Sequence, residues 1–339
     1  MSKKQIKAVI FGVGSTGSLA VRYMVEKGVD IVGAVGHINN IGKDIGELAG
    51  IGEYGVILET DGKAVIERTN PDIAILCLDT ETAYPIIEMC LEHKVNVATI
   101  AIELFYLDRT DPEMARKLDL LAKKNGVTLY GGGIQDINWQ NLCAALSGSV
   151  HNITKITGEN WALVDDQGLQ VVTECYAGMT LEQFNAENEG VEPEATAFTQ
   201  TMYAIADEMD LHVISEKVER LPRIAQTDLY VEKADVHIKK GDISGFSDTA
   251  TLETEEGITL VCTFVEKVTE GDETAINAWY IEGEPNFDTV TADMHGEVTT
   301  SIGIVNRIAD VINAPAGYVL CKDMPRATYH TRPLPEYVK

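Results

Sequence analysis

Residues 8–24, AVIFGVGSTGSLAVRYM, join a short apolar run to a helical pattern through three glycines. The glycines fit the spacing G-x-G-x-x-G, a weak signal alone, but here it directly follows a strand-like run and opens a helix. In that context Gly12 permits a tight turn, Gly14 lets a pyrophosphate approach the backbone, and Gly17 lets the helix pack against the strand. The free N–H groups of Ser15 and Thr16 would bind the phosphates. The stretch predicts a dinucleotide site rather than a plain connecting turn.

The choice of dinucleotide depends on the end of the second predicted strand, in AVGHINNIGKD. An acidic residue directly after this strand would bind the adenosine ribose 2′-OH and favour NAD. None is present there, and no arginine is present either; His37, Asn39 and Asn40 occupy the region, with His37 as the candidate cofactor contact. The sequence therefore permits NAD, NADP or both.

The first 135 residues alternate between strand-like and helical periods. Short apolar strands between helices favour a parallel sheet covered on both faces, which is the doubly wound α/β plan of a Rossmann fold. We predict strands at 6–11, 30–35, 55–58, 73–78, 95–100 and 127–130, and helices at 15–27, 82–93 and 111–125.

After about residue 140 the pattern changes to strand-like alternation, typical of a mostly antiparallel sheet with one exposed or ligand-facing side. We expect an α+β domain at 139–295 that binds substrate and carries a homodimer contact on its open face. The dinucleotide-binding domain then comprises 1–138 and about 296–339, with a helix at 296–313. In the second domain we predict helices at 180–187 and 195–209, and strands at 155–161, 235–243, 248–254, 257–268 and 275–282.

Composition bounds the partners and the compartment. The 339 residues suffice for two domains, and a formal charge of −26 repels nucleic acid and anionic membranes while slightly favouring cationic small molecules. No apolar stretch approaches the ~20 residues of a membrane span, and the N-terminus lacks the features of a signal peptide. Six scattered cysteines without a CxxC pair argue against a zinc site or a disulfide framework. We expect a cytoplasmic enzyme with free thiols and no metal.

Several longer stretches resemble the family of 2,4-diaminopentanoate dehydrogenases and native amine dehydrogenases, which overlaps with dihydrodipicolinate-reductase-like proteins. The His-His and Lys-x-Asp-x-Pro-Ser-Gly motifs of true dihydrodipicolinate reductases are absent, which argues against that reaction. Gly133-Ile134-Gln135-Asp136-Ile137 also replaces the Gly-x-Asn-Pro-Gly of many relatives, so reaction type transfers more safely than substrate. The resembling stretches are GSTG, GHINNIGKDIGELAGIGEYGV, NVATIAIELFY, GGGIQDINWQNL and AWYIEGEPNFDTVTADMHGEVTTSIGIVNRIADVINAPAGYVLCKDMP.

The resemblance implies oxidative deamination of a primary amine, with 2,4-diaminopentanoate giving 2-amino-4-oxopentanoate and ammonium. It assigns the acid/base role to the Glu after the strand with N-V-x-T, which is Glu103 here. Independently of the resemblance, Glu103 comes directly after the carboxyl end of an apolar strand, and open α/β sheets bind their ligands at the carboxyl ends of their strands. Its neighbours Ile102, Leu104 and Phe105 would partly desolvate the carboxylate and strengthen it as a base. The plain alternative is a solvated helix-start charge.

Other candidates for substrate contact follow the next strand. Gln135, Asp136 and Asn138 are predicted to hold substrate ammonium groups or the cofactor carboxamide, with capping of a following helix as an equal alternative. Trp139 and Trp161 are predicted to wall a pocket, or else to be core residues. Alternative functions are an amine dehydrogenase or imine reductase with another substrate, and a nucleotide-sensing protein without catalysis. The intact Glu103 argues against the last.

Overall fold

The structure, a computed structural model, describes residues 5–37, 39–166, 168–191, 193 and 197–339. Contacts divide the chain into two compact units, the first formed by 1–141 with 296–339 and the second by 142–295. Among the described residues, no helix has the length and apolar character needed to cross a membrane.

The first segment of the first unit alternates strands and helices, as the sequence predicts. A 3₁₀ turn, Ile102–Phe105, follows β5, and a π-helical turn, Gln135–Asn141, follows β6. The strands are β1 Lys7–Phe11, β2 Asp30–Val35, β3 Leu58–Glu59, β4 Ile73–Leu76, β5 Asn96–Thr99 and β6 Thr128–Gly131. The helices are α1 Ser15–Glu26, α2 Ile45–Leu48, α3 Gly62–Thr69, α4 Thr80–Glu92, α5 Leu107–Thr110 and α6 Pro112–Asn125.

The insertion that forms the second unit contains four described helices and eight described strands. The helices are α7 Leu142–Ser147, α8 Leu169–Glu174, α9 Leu181–Asn188 and α10 Ala197–Glu208. The strands are β7 His151–Leu163, β8 Val213–Ile224, β9 Leu229–Val231, β10 Val236–Ile238, β11 Ile243–Thr254, β12 Thr259–Lys267, β13 Ile276–Glu284 and β14 Phe287–Ala292. The chain then returns to the first unit with α11 Gly296–Asn306, α12 Ile308–Asn313 and β15 Gly317–Val319.

The first unit is a seven-stranded sheet in the order β15-β6-β5-β4-β1-β2-β3, and its strand pairings are all parallel. The strand order reverses between β1 and β4, which places a ligand crevice at their carboxyl ends. Helices α1, α11 and α12 contribute to the core on one face, and α3, α4 and α6 to the core on the other. The predicted Rossmann architecture is confirmed.

The second unit is built on a six-stranded sheet in the order β14-β13-β7-β12-β11-β8, in which β7 and β12 are parallel and the other neighbours antiparallel. Helix α10 covers one face, where Phe198 meets the edge of Trp279 at 5.5 Å between ring centres. The predicted mostly antiparallel sheet is confirmed.

Several predicted boundaries were wrong. The strand expected at 235–243 is β10 followed by a turn through Gly241 (φ +96°), and β11 begins only at Ile243. The strand expected at 55–58 is reduced to the two residues of β3, and the helix expected at 296–313 is divided into α11 and α12. Residues 195 and 196 of the predicted helix 195–209 lie outside the described residues. The sequence did not predict α2, α3, α5, α7, α8, β8, β9 or β14.

Candidate functional site

Two of the three glycines after β1 are required by packing within the protein. Gly12 has a φ of +85°, and a Cβ there would lie 2.3 Å from the carbonyl oxygen of Cys77. A Cβ on Gly17 would lie 2.0 Å from the carbonyl oxygen of Gly12. These contacts bring the start of α1 against the turn, as the glycine spacing predicts.

Gly14 differs because its position is open. Apart from its chain neighbours, no described atom lies within 4 Å of the place where a Cβ would be. Gly14 is the N-cap of α1, and the first turn of α1 contains no acidic side chain. A twelve-residue helix with unpaired N–H groups and an open approach fits a pyrophosphate. The residues present therefore fit the dinucleotide that this fold binds.

Helix α11 contacts the same turn. The Ser15 hydroxyl donates to the Glu297 carboxylate at 2.6 Å, and the Ser301 hydroxyl donates to the carbonyl oxygen of Thr16 at 2.9 Å. The Ser15 side chain is thus engaged within the protein, which leaves its backbone N–H as the group predicted to meet a phosphate.

The end of β2 carries no available acid among the described residues that follow it directly. His37 is exposed there, whereas Ile38 is outside the described residues. Asp44, the first acid further along, turns inward and accepts N–H bonds from Gly46, Tyr54 and Gly55 at 2.7–2.8 Å. Its carboxylate is committed to the loop and does not serve as a ribose ligand.

Glu103 lies in the 3₁₀ turn that follows β5. This turn and the glycine turn both follow the carboxyl ends of parallel strands, so they lie at the same end of the sheet. The side chain is half-buried, and the hydroxyl of Thr80, the first residue of α4, donates a hydrogen bond to its carboxylate. Leu104 and Phe105 pack in the core, but Ile102 is 49% exposed. Two of the three expected apolar neighbours therefore anchor the turn, while the third faces solvent.

Sequence reasoning missed Tyr84, which lies one helical turn after Thr80 on α4. Burial raises the pKa of the Tyr84 phenol, and the charges of Glu103 and Asp111 raise it further. The raised pKa keeps the phenol protonated. The i, i+4 spacing of Thr80 and Tyr84 was the available signal, since such residues share one helix face.

The π-helical turn after β6 carries four predicted substrate residues. Gln135 and Trp139 are buried. Asn138 is half-buried and lines an open cavity of about 320 Å³ beside α11, together with Thr299, Ile302, Asn306 and Asp310. The turn therefore presents Ile137 and Asn138 to a space that a small molecule can enter, whereas Gln135 and Trp139 do not line it.

Asp136 has a different role from the expected one. Its carboxylate is completely buried and accepts bonds from Arg307 at 2.6 and 2.9 Å, from the Tyr130 hydroxyl at 2.5 Å and from the Asn141 amide at 2.5 Å. Cys321 adds a contact at 3.3 Å. We expected a substrate ammonium or the cofactor carboxamide at these oxygens, or a helix cap, but they are occupied by protein donors. Asp136 is instead the internal counter-ion of Arg307.

Trp161 belongs to the second unit, whereas the other predicted site residues belong to the first. It is half-buried near the end of β7, and its indole N–H donates to the Glu159 carboxylate at 2.6 Å. Its role as a pocket wall stays a prediction.

The similarity of this chain to known proteins covers nearly its whole length. Residues 138–334 match the family model of the 2,4-diaminopentanoate dehydrogenase C-terminal domain, and residues 6–99 match that of the dihydrodipicolinate reductase N-terminus. The chain is 25% identical over 333 residues to 2,4-diaminopentanoate dehydrogenase of Acetoanaerobium sticklandii, which covers 95% of this chain and 94% of that protein.

A solved structure, that of the amine dehydrogenase from Mycobacterium smegmatis, is 35% identical with a TM-score of 0.87, covering 96% of this chain and 98% of that one. A shorter match, 33% identical over 127 residues, is to 4-hydroxy-tetrahydrodipicolinate reductase of Archaeoglobus fulgidus and covers 36% of this chain and 48% of that protein.

Proposed function

We propose a reaction from the premise that the chain belongs to the family of the 2,4-diaminopentanoate dehydrogenase C-terminal domain. The chain is an NAD(P)-dependent dehydrogenase that oxidises amines, and the proposed substrate is 2,4-diaminopentanoate. The products are 2-amino-4-oxopentanoate, ammonium, the reduced cofactor and a proton. The similarity to 2,4-diaminopentanoate dehydrogenase supports this choice, because it spans 94% of that enzyme.

The observation that carries the proposal is the carboxylate of Glu103, which accepts a hydrogen bond from Thr80. It lies at the carboxyl ends of the parallel strands, the same end of the sheet as the glycine turn. Bound nicotinamide supplies the acceptor for the hydride that leaves the amine-bearing carbon. Glu103 binds the substrate ammonium and removes one of its protons, because the nitrogen lone pair must help expel the hydride. After this proton has passed to solvent, the carboxylate takes a proton from the water that attacks the iminium carbon and returns it to the nitrogen, which leaves as ammonia and becomes ammonium as the carbonyl forms. Asn138, which is half-buried and lines the described cavity, is the proposed substrate contact after β6.

A Glu103→Gln variant tests the assignment. It keeps the size and hydrogen-bonding capacity of the side chain but loses its charge, so kcat should fall by ~10²–10⁴. Cofactor affinity should not change, because the proposed phosphate contacts belong to the turn after β1. Glu92→Gln, at the exposed end of α4, is the matched control and should retain wild-type kcat. A Glu103→Gln enzyme with wild-type turnover would remove Glu103 from the mechanism.

The substrate is tested separately with a panel of amines and diamino acids, using the reduction of NAD and NADP as the signal. 2,4-Diaminopentanoate should give the highest kcat/KM. A higher value for a simple monoamine would support an amine dehydrogenase with another substrate. Absence of turnover with every compound would support a nucleotide-sensing protein.

We propose that the enzyme uses both NAD and NADP. Asp44 is turned inward, so no described acid directly after β2 repels a 2′-phosphate, while the ammonium of Lys43 lies 2.9 Å from Asn40 in the same loop. The ratio of kcat/KM for the two cofactors should stay below about a thousandfold, or roughly 4 kcal/mol. A larger ratio would require a further contact to the ribose or its 2′-phosphate from outside this loop.

We also propose a homodimer formed through the sheet face of the second unit opposite α10. The pairing registers place Lys217, Glu219, Leu221 and Val261 on this face. Both charge signs lie beside apolar side chains, a pattern that a two-fold axis can make self-complementary. Light scattering should give twice the chain mass, and Val261→Glu should give a monomer. A wild-type monomer would exclude the proposal.

A further inference from the structure

The turn that carries Glu103 is attached to the last strand of the chain. The Tyr318 hydroxyl, on β15, donates to the carbonyl oxygen of Leu104 at 2.8 Å and accepts the N–H of Leu107 at 2.9 Å. These two bonds bracket the residues immediately after Glu103. They connect segments that are more than 200 residues apart in the sequence.

The neighbouring backbone makes this attachment specific. A Cβ on Gly131, the last residue of β6, would lie 2.1 Å from the carbonyl oxygen of Leu104, so the turn rests directly on the strand. The Tyr318 N–H is itself bound by Asp119 of α6 at 3.1 Å. The tyrosine is therefore fixed at its backbone as well as at its hydroxyl.

The protonation state of the phenol suits its bonding pattern. Burial raises the pKa of Tyr318 well above its usual range, so the hydroxyl keeps its proton. A neutral hydroxyl donates once and accepts from a second group, and both positions are used here.

We infer that Tyr318 is a positioning residue for the reaction, which holds the backbone of the turn so that the Glu103 carboxylate reaches the substrate nitrogen. This inference rests on the proposed role of Glu103. A misplacement of ~1 Å at a reacting group costs about a hundredfold in rate. Loss of the Tyr318 hydroxyl should therefore lower kcat without weakening cofactor binding.

Tyr318→Phe in the full-length enzyme removes only the hydroxyl. We expect kcat to fall about 10- to 100-fold, and the cofactor Kd to stay within about twofold. Hydrogen exchange at the Leu107 amide should become faster, because its acceptor is gone. Tyr54→Phe is the matched control, since that hydroxyl accepts the Ile31 N–H at 3.0 Å in the same unit. It should leave kcat at the wild-type value.

A double variant separates this inference from the proposed function. If Tyr318 acts through Glu103, then Glu103→Gln with Tyr318→Phe should be no slower than Glu103→Gln alone, because linked residues are non-additive. The inference would be overturned if Tyr318→Phe lowered the kcat of Glu103→Gln as much as it lowers the kcat of the wild type. It would also be overturned if Tyr318→Phe alone kept wild-type kcat. Either result would leave Glu103 as the base. Wild-type turnover by Glu103→Gln would reject the proposed base itself, and the inference with it.

Discussion

The three glycines after β1 illustrate how one motif combines two kinds of requirement. Gly12 and Gly17 are constrained by the carbonyl oxygens of Cys77 and Gly12, whereas Gly14 faces open space. We therefore expect a side chain at Gly14 to collide with a bound cofactor, whereas a side chain at the other two positions collides with the protein. Ligand binding and folding can be separated experimentally within six residues.

Gly14→Val should weaken cofactor binding about tenfold or more, equivalent to about 1.4 kcal/mol, without changing the melting temperature. Its φ of −85° is negative and its backbone is extended, so the left-handed strain that a side chain would meet at Gly12 is absent here. Gly12→Ala is the contrasting variant and should lose stability by about 1–3 kcal/mol through overlap with Cys77. Titration of the cofactor and thermal unfolding measure the two effects. Unchanged affinity in folded Gly14→Val would show that the phosphates bind elsewhere.

At the level of residues, the sequence revealed what is encoded locally. Strand, glycine turn and helix are contiguous, and so are the strand and the turn that carry Glu103. The role of Asp136 was not accessible, because its counter-ion Arg307 lies 171 residues away. Tyr318 was hidden for the same reason, since its hydroxyl acts on a turn 214 residues earlier.

Among the elements, the loop that leads into α2 depends on one carboxylate. Burial alone would raise the pKa of Asp44, but four backbone N–H groups, those of Tyr54, Gly55, Gly46 and Glu47, outweigh burial and hold the pKa below its usual range. A lowered folded pKa contributes stability that is present above about pH 4, the unfolded value. This stability is lost as the pH falls through the folded pKa.

Thermal unfolding between pH 5 and pH 3 should therefore show a steeper loss of stability in the wild type than in Asp44→Asn, which cannot titrate. Asp61→Asn is the control, because Asp61 caps α3 with a single bond to the Ala64 N–H at 3.0 Å. Its melting temperature at pH 7 gives the cost of losing one cap bond alone. Equal slopes for Asp44→Asn and the wild type would show that this carboxylate does not link folding to pH.

Strand β8 shows why one element was not predicted from the sequence. Strand β8 lies at the edge of its sheet, carries five charged residues and exposes Ile214 and Leu221, so it lacks the regular apolar side on which strand prediction depends. It also contains Pro222, which is tolerated at an edge but argues against a strand in sequence. Strand β4, and β1 from Ala8 onwards, were predicted because burial on both faces leaves these residues continuously apolar.

At the scale of the whole chain, the first unit is assembled from two segments that an insertion of about 150 residues separates. β15 pairs with β6, and Arg307, at the junction of α11 and α12, bonds to Asp136 after β6. The same guanidinium donates to the carbonyl oxygen of Pro325 at 2.6 Å and to Asp310 at 3.2 Å. The buried guanidinium of Arg307 thus bonds to the turn after β6, to α12 and to the segment after β15.

Arg307→Met should destabilise the protein by about 3–5 kcal/mol, because it leaves the Asp136 carboxylate buried without its counter-ion. Arg307→Lys should also lose stability, since an ammonium cannot reproduce the fork that meets Asp136 and Pro325 together. The control is Arg332→Met, which breaks a largely exposed pair with Glu336 and should cost roughly 1 kcal/mol or less. Urea denaturation of the three variants measures the difference.

If Arg307→Met and Arg332→Met lose equal stability, the two segments are joined by sheet pairing and apolar packing alone. A selective loss at Arg307 would instead mean that the returning segment is locked by this ion pair, and with it the strand that supplies Tyr318.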